Sequence, residues 1–454
     1  MSDAMTEPSG RAGSPESGPV LVSPKEVRRI ANAAFVGTAL EWYDYYLFGT
    51  AAAIVFNRLF FSDLDPTAAV LASLATFGVG FAARPIGAFF FGVLGDRIGR
   101  RPTLIITIIL IGTATGLIGL LPTFADVGLL APVFLVILRL LQGLAVGGEW
   151  GGATTIAIEH APVKQRARYA ALVQVGSPVG TLLSSGAFAL VLLFPSETFD
   201  AWAWRLPFLA AFPMLIVALW IRVKVEESPI FEELLREDQR AKVPALQVFT
   251  KAGGRLVVAI MAAFLGVGGF YVMNTFVVSY VTNNLGGDRQ VVVNATLIAA
   301  VAQIVVILIF GRLAEKIGPG RVTFWGGIAT AAAAWPLFLL IDTNQAWAIT
   351  LAVAGGIALL TITYAVTGAL LTELFPPQLR YSGVSLGYNI AGALSGFLPF
   401  IATWMISATG TTASWPAVVI LALVALITAF GGLIGERLRV QDKEIVQTVT
   451  TPTR

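Results

Sequence analysis

The sequence predicts an all-α integral membrane protein with twelve transmembrane helices arranged as two pseudo-symmetric six-helix bundles, and three observations lead there. Of its 454 residues, 56% are hydrophobic and 13% are charged, about half the charge of an ordinary soluble domain. The apolar residues gather into twelve stretches, long enough at about 1.5 Å per residue to cross a hydrocarbon core of about 30 Å. Two polar signatures recur at nearly equal offsets, as they do in membrane proteins built from a repeated bundle.

Residues 1–27, rich in Ser, Gly, Pro and Glu, are expected to form a disordered cytoplasmic tail. No short apolar region with a cleavage site follows, so they do not read as a signal peptide. Helices 1 to 6 are expected at about 30–56, 67–94, 103–121, 129–158, 168–193 and 203–222, an N-terminal bundle over 28–222. A cytoplasmic linker, 223–255, follows. In it Ser228 and Pro229 precede an acidic helical run, the pattern of an N-cap with Pro at the first helical position, which predicts a surface helix. Helices 7 to 12 are expected at about 256–282, 290–311, 322–341, 346–371, 381–407 and 414–435, a second bundle over 256–436. The C-tail, 437–454, is too short for several heptads of coiled coil.

Cytoplasmic loops retain Lys and Arg. Of the 30 such residues, 25 lie in the tails, the linker and the loops that follow even-numbered helices. The opposite side holds Arg58, Arg205 and Arg289, while Arg84 and Arg139 fall inside helices. Both termini are therefore expected in the cytoplasm, with the chain in the cell inner (plasma) membrane. This placement accounts for the basic residues without nucleic acid, since the net charge is only +3. With no Cys and a single His, His160, a disulfide scaffold, a thiol nucleophile and a Cys/His zinc site are excluded. No enzyme activity, metal or cofactor is expected, and His160 reads as an interfacial residue.

The repeat is specific. Glu159, Pro162 and Arg166 share the spacing E-x-x-P-x-x-x-R with Glu373, Pro376 and Arg380. GVLGDRIGRR at 92–101 is matched by GRLAEKIGPGR at 311–321. On these residues the chain, over about 28–437, resembles the major facilitator superfamily. The first decapeptide matches its signature between helices 2 and 3, and RLLQGLAVGGEWGG from Arg139 matches its helix 4 signature. LEWYDYYLFG, ARPIGAFFFG, WAWRLPF, ESPIFEEL and ELFPPQLRYSG are similar to the metabolite:proton symporters, a family handling citrate, 2-oxoglutarate, shikimate, proline and betaine. The resemblance implies the major facilitator fold, alternating access and proton coupling, but not the substrate. It also implies a cytoplasmic gate in which Gly92 and Gly95 allow close approach, Asp96 meets a helix N-terminus, and Arg97 and Arg100 reach Glu159. Arg166, Glu373 and Arg380 complete this gate, with a weaker second-half version in which Glu315 and Lys316 replace Asp-Arg.

An ionisable side chain at the bilayer centre costs at least a few kcal/mol, so each one marks a functional hypothesis. Five qualify, all in the first half: Glu41, Asp44, Arg84, Arg139 and Glu149. Counting residues from the helix ends places Glu41, Arg84 and Glu149 about 15–18 Å from the cytoplasmic face. Glu41 and Asp44 share one helix face, as do Gln142 and Glu149. Structural ion pairs are the plainer reading, but three carboxylates cannot each pair with one of two arginines. Glu41, Asp44 and Glu149 are therefore the proton-coupling candidates. Arg84 and Arg139, with Gln142, Trp42 and Tyr45, are substrate candidates; Tyr271, Asn274, Tyr388 and Asn389, together with Gln303 and Tyr364, are the polar residues facing them from the second half.

The expectation is a proton-coupled importer of a small organic metabolite, a mono- or dicarboxylate, acting as a monomer with protons and the lipid bilayer as its other partners. A proline/betaine-type zwitterion porter is the first alternative. A drug/proton antiporter is less well matched, because 176–181 reads GSPVGT without the Gly-Pro and paired glycines of such exporters. A non-transporting receptor differs from a carrier only in an uptake assay.

Overall fold

The protein is described by a computed structural model over residues 24–98, 100–147, 166–223, 244–411 and 413–440. Helix 1 spans Pro24–Ile54, so it starts inside the segment expected to be disordered; residues 1–23 lie outside the described part. Helix 2 is two segments, Pro66–Ala82 and Arg84–Ile98, and helix 3 spans Arg100–Ile118. Helix 4 is described over Leu130–Gly147. Helix 5 comprises Arg166–Gln174 and Gly176–Val191, and helix 6 comprises Leu206–Leu209 and Ala211–Val223.

The surface helix expected at Ser228 lies outside the described residues, but Pro244–Lys251 closes the linker as a short helix. Helix 7 begins at Gly253 and continues to Asn284 with two π-helical turns, Val272–Phe276 and Tyr280–Asn284. Helices 8 to 10 span Arg289–Ile317, Pro319–Asp342 and Ala346–Leu374. Helix 11 comprises Pro377–Ser395 and Leu398–Thr409, and helix 12 spans Trp415–Leu438. Among the described residues nine spans are long and apolar enough to cross a membrane. The other three helices depart for local reasons: helix 1 carries Glu41, Asp44 and three tyrosines, helix 3 is apolar only over Ile105–Ile118, and helix 5 breaks at Val175.

Capping fixes several ends. Asp65 accepts from the amides of Thr67 and Ala68 at 3.0 and 3.1 Å ahead of Pro66, and Asp288 accepts from Gln290 at the start of helix 8. Between helices 8 and 9 Gly318 has φ of 94°, a conformation that favours glycine. The outer surface carries Trp220, Trp325, Trp335, Trp347 and Trp404 more than half exposed, as expected of rings facing lipid and its interfaces.

Helices 2 and 4 cross at glycines. A Cβ on Gly87 would meet the carbonyl oxygen of Leu144, and one on Gly147 that of Arg84. This backbone contact sets Arg84 and Arg139 beside helix 1. The signature at 92–101 contributes the end of helix 2, through Ile98, and the start of helix 3, from Arg100.

Candidate functional site

Helix 1 carries the centre of the site. Tyr43, Tyr45 and Tyr46 are all buried, with Trp42 among them, and Glu41 and Asp44 are 5% and 2% exposed. Tyr43 is fixed by donating to the carbonyl of Pro207 in helix 6 at 2.5 Å.

Asp44 gathers three helices. Thr115 of helix 3 donates to its Oδ1 at 2.5 Å, and Gln142 of helix 4 donates to the same oxygen at 2.6 Å. Arg139 Nη1 lies 3.5 Å from Oδ2, which accepts no hydrogen bond among the described residues. Arg139 also donates to Gln142 Oε1 at 3.3 Å and lies over the Phe48 ring at 4.1 Å. A buried ion pair retains its charges only when hydrogen bonds and geometry offset the lost hydration. Here one carboxylate oxygen is satisfied and the other is not, so Asp44 has room for a proton.

Three residues along, Glu41 accepts from the Tyr45 hydroxyl at 3.0 Å. The Arg84 guanidinium lies 4.1 Å from the Tyr45 ring centre and 3.9 Å from that of Phe81. Glu41 and the neutral hydroxyls of Tyr45, Tyr271 and Tyr388 lie near enough to interact with it electrostatically. Its Nη2 has no hydrogen-bond partner among the described residues. Gly392 of helix 11 leaves space beside it, since a Cβ there would lie 3.4 Å from Nη1.

The second half closes over this group through aromatic rings. Tyr271 packs on Phe77 and Phe81 at 5.2 and 4.6 Å, and Tyr364 on Trp42 and Phe270 at 5.6 and 5.4 Å. Asn389 donates to the carbonyl of Gly147 at 3.3 Å. Asn274 and Gln303 are buried with their amide nitrogens unpartnered among the described residues. Of the sequence-predicted residues, Tyr45 of the first half and Tyr271 and Tyr388 of the second meet around Arg84, while Gln142 and Arg139 gather on Asp44.

Glu149 and Glu159 lie outside the described residues. Gly92, Gly95, Asp96, Arg97 and Arg100 are placed as helical backbone, with their side chains outside the description. The second-half gate residues are described. Arg380 donates to the carbonyl of Thr372 at 3.0 Å, and Glu373 pairs with Arg439 at 2.5 Å. Arg439 also bonds Glu436, which accepts from the Gly320 amide at 2.8 Å. Arg166 of the first half acts electrostatically on Glu373 of the second.

Three features escaped sequence reasoning. Thr115 looks like any helix threonine. Asn57 and Asn283, bonded at 3.2 Å with Asn283 also donating to the Ala53 carbonyl at 3.1 Å, join the halves at the end away from the termini. At that end Arg58 pairs with Asp200, both oxygens engaged. Neutral asparagines at helix ends carry no pattern, but the scarcity of arginines on that side marked Arg58.

A model of the Major Facilitator Superfamily matches residues 34–353 and again 259–447. The shikimate transporter of Escherichia coli is 37% identical over 426 residues, covering 92% of this chain and 96% of that protein. The proline/betaine transporter of Salmonella typhimurium is 32% identical over 423 residues, covering 90% of this chain and 84% of that one. Among solved structures, a D-xylose-proton symporter superposes with a TM-score of 0.69 at 18% identity, covering 88% of this chain and 97% of that chain.

Proposed function

Because the chain belongs to the Major Facilitator Superfamily, we propose that it is a proton-coupled symporter that imports a small mono- or dicarboxylate by alternating access. Asp44 carries this reading: a buried carboxylate with one oxygen saturated by Thr115 and Gln142 and the other left to Arg139 and a proton. Protonation of Oδ2 removes the charge that Arg139 opposes. The positive charge of Arg139 then adds to that of Arg84, on the face of helix 1 that packs against the second bundle. Arg84, with an unsatisfied Nη2 and an aromatic bed, supplies the planar fork that a carboxylate engages with two hydrogen bonds.

Proton and substrate therefore favour each other's binding. An anion arriving at Arg84 is welcomed more when Asp44 and Glu41 carry fewer charges, and reciprocity makes the bound anion favour protonation. The aromatic contacts of Tyr271 and Tyr364 with the first half describe the state in which the site is sealed. Reopening toward the termini delivers the substrate, with both termini in the cytoplasm and a monomer as the working unit.

A zwitterion is the second reading, favoured by Trp42 beside Tyr45 and Tyr46, since aromatic faces hold a quaternary ammonium. Counterflow in proteoliposomes with labelled shikimate, proline and glycine betaine decides between them. Exchange of shikimate alone supports a carboxylate; exchange of betaine, unaffected by Arg84→Lys, overturns it. Uptake that needs sodium at fixed pH and ignores a proton gradient overturns the coupling.

A further inference from the structure

A cavity lies inside the first bundle, between helices 1, 3 and 6 and on the side of Asp44 away from the second bundle. Each helix contributes an eight-residue stretch: 37–44 from helix 1, 108–115 from helix 3 and 211–218 from helix 6. At about 1.5 Å per residue the cavity is roughly 10 Å long. The deep end, formed by Asp44, Thr115 and Ala211, is buried; toward the other end Gly37, Leu40 and Ile108 are half-buried, as are Gly112, Met214 and Leu215 along the wall. Helices 1 and 3 start at the termini end and helix 6 finishes there, so Gly37, Ile108 and Ala218 lie toward the termini and Asp44 lies deep. Glu41 lines the same wall, which puts both carboxylates of helix 1 on it.

The two faces of helix 1 are thus different in kind. Toward the second bundle the face is packed with rings, from Trp42 and Tyr46 to Phe270 and Tyr364. Away from it, the carboxylates border open volume large enough for several waters, with polar groups to hold them. We propose that the proton leaves Asp44 through this cavity toward the termini side of the membrane, apart from the path taken by the substrate. In the step, the neutral acid first turns its Oδ2–H, enclosed here beside Arg139, toward the cavity and then gives its proton to a water there. The carboxylate re-forms beside Arg139, and a hydrated proton passes out past Leu40 and Ile108. The charged and titratable groups facing Asp44 are Glu41, Tyr43 and Tyr45 on its own helix, Arg84 from helix 2 and Arg139 from helix 4. Helices 3 and 6 contribute none within the cavity, where Thr115 is the polar group.

The inference rests on the proton-symport reading but is tested separately from it. The chain has no cysteine, so Ile108→Cys and Leu40→Cys each create a single thiol at the mouth. Each variant is reconstituted, treated with a bulky methanethiosulfonate, and assayed with shikimate. Before treatment, uptake driven by a proton gradient tests the symport reading itself. After treatment, gradient-driven accumulation is expected to fall at least fivefold, while shikimate counterflow, which needs no net proton release, stays within twofold. A substrate-free arm uses a lipophilic carbodiimide, which modifies protonated carboxyls: labelling of Asp44, read by mass spectrometry, is expected to drop at least fivefold once the mouth is blocked. Equal loss of accumulation and counterflow, or full accumulation and full Asp44 labelling in the blocked protein, overturns the proposal.

Discussion

Replacing Asp44 with asparagine removes one charge and almost no volume, and its consequences can be worked from the distances. The substituted amide still presents an oxygen to Thr115 and Gln142, so the bonds at 2.5 and 2.6 Å have a partner. The other position becomes an NH2 group 3.5 Å from Arg139 Nη1, exchanging attraction for a clash of donors. At that distance and an effective dielectric of about 20, the lost charge interaction is of order 5 kcal/mol. Removing one member of a buried pair commonly costs about 3–5 kcal/mol for the same reason. The single variant is therefore expected to be markedly less heat-stable, and Asp44→Asn with Arg139→Gln to recover much of the loss. Transport separates the charge from the fold. With one proton per substrate, a gradient of two pH units supports roughly 100-fold accumulation, since each unit is worth about 1.4 kcal/mol. The asparagine variant should equilibrate its substrate to a ratio near one while retaining counterflow. Accumulation above tenfold by Asp44→Asn in proteoliposomes would refute the role given to this carboxylate.

Arg84→Lys should weaken equilibrium binding of shikimate tenfold or more in calorimetry, about 1.4 kcal/mol, because an ammonium cannot reproduce the fork; undiminished binding speaks against Arg84 as the anchor. Shikimate should bind more tightly at pH 5.5 than at pH 7.5, because protons taken up by the carboxylates lower the repulsion an anion meets, and pH-independent calorimetry contradicts that coupling. Gly87→Leu, driven against the Leu144 carbonyl, should abolish transport and lower thermal stability, whereas Gly253→Ala, with nothing within 4 Å of its Cβ, should change neither. Asn57→Ala in a Ser279→Cys background should speed thiol labelling severalfold by loosening the end away from the termini, as loss of a bond worth about 1 kcal/mol implies; unchanged labelling argues that this contact does not hold the halves together.

Much of the site was legible because a bilayer makes charge expensive. Glu41, Asp44, Arg84 and Arg139 stood out in the sequence on that ground alone, and the structure buries all four. Which acid meets which base was not legible. Depth along each helix follows from counting residues, but the rotation of one helix against another is set by the glycine crossing of helices 2 and 4, and that crossing directs Arg139 to Asp44 and Arg84 to the Tyr45 and Phe81 rings. The gate shows the opposite limit: the E-x-x-P-x-x-x-R repeat predicted Glu373 and Arg380, yet the partner of Glu373 among the described residues, Arg439, lies just past helix 12, outside both repeated signatures. Internal symmetry reveals only what both halves share.

The two π-helical turns of helix 7 have a mechanical meaning. A π turn holds one residue more than an α turn, so the stretch from Val272 to Asn284 stores slack in its winding. Rewinding one such turn as α-helix would swivel everything beyond it by about 100° and shift it by about 1.5 Å along the axis. Asn283 sits in the second of these turns and grips Asn57 and Ala53, while Asn274 lies in the first and Tyr271, beside Arg84, immediately precedes it. Helix 7 is thus wound like a screw with a slipped thread, able to release its grip on helix 1 by turning in place while its other end stays anchored in the second bundle.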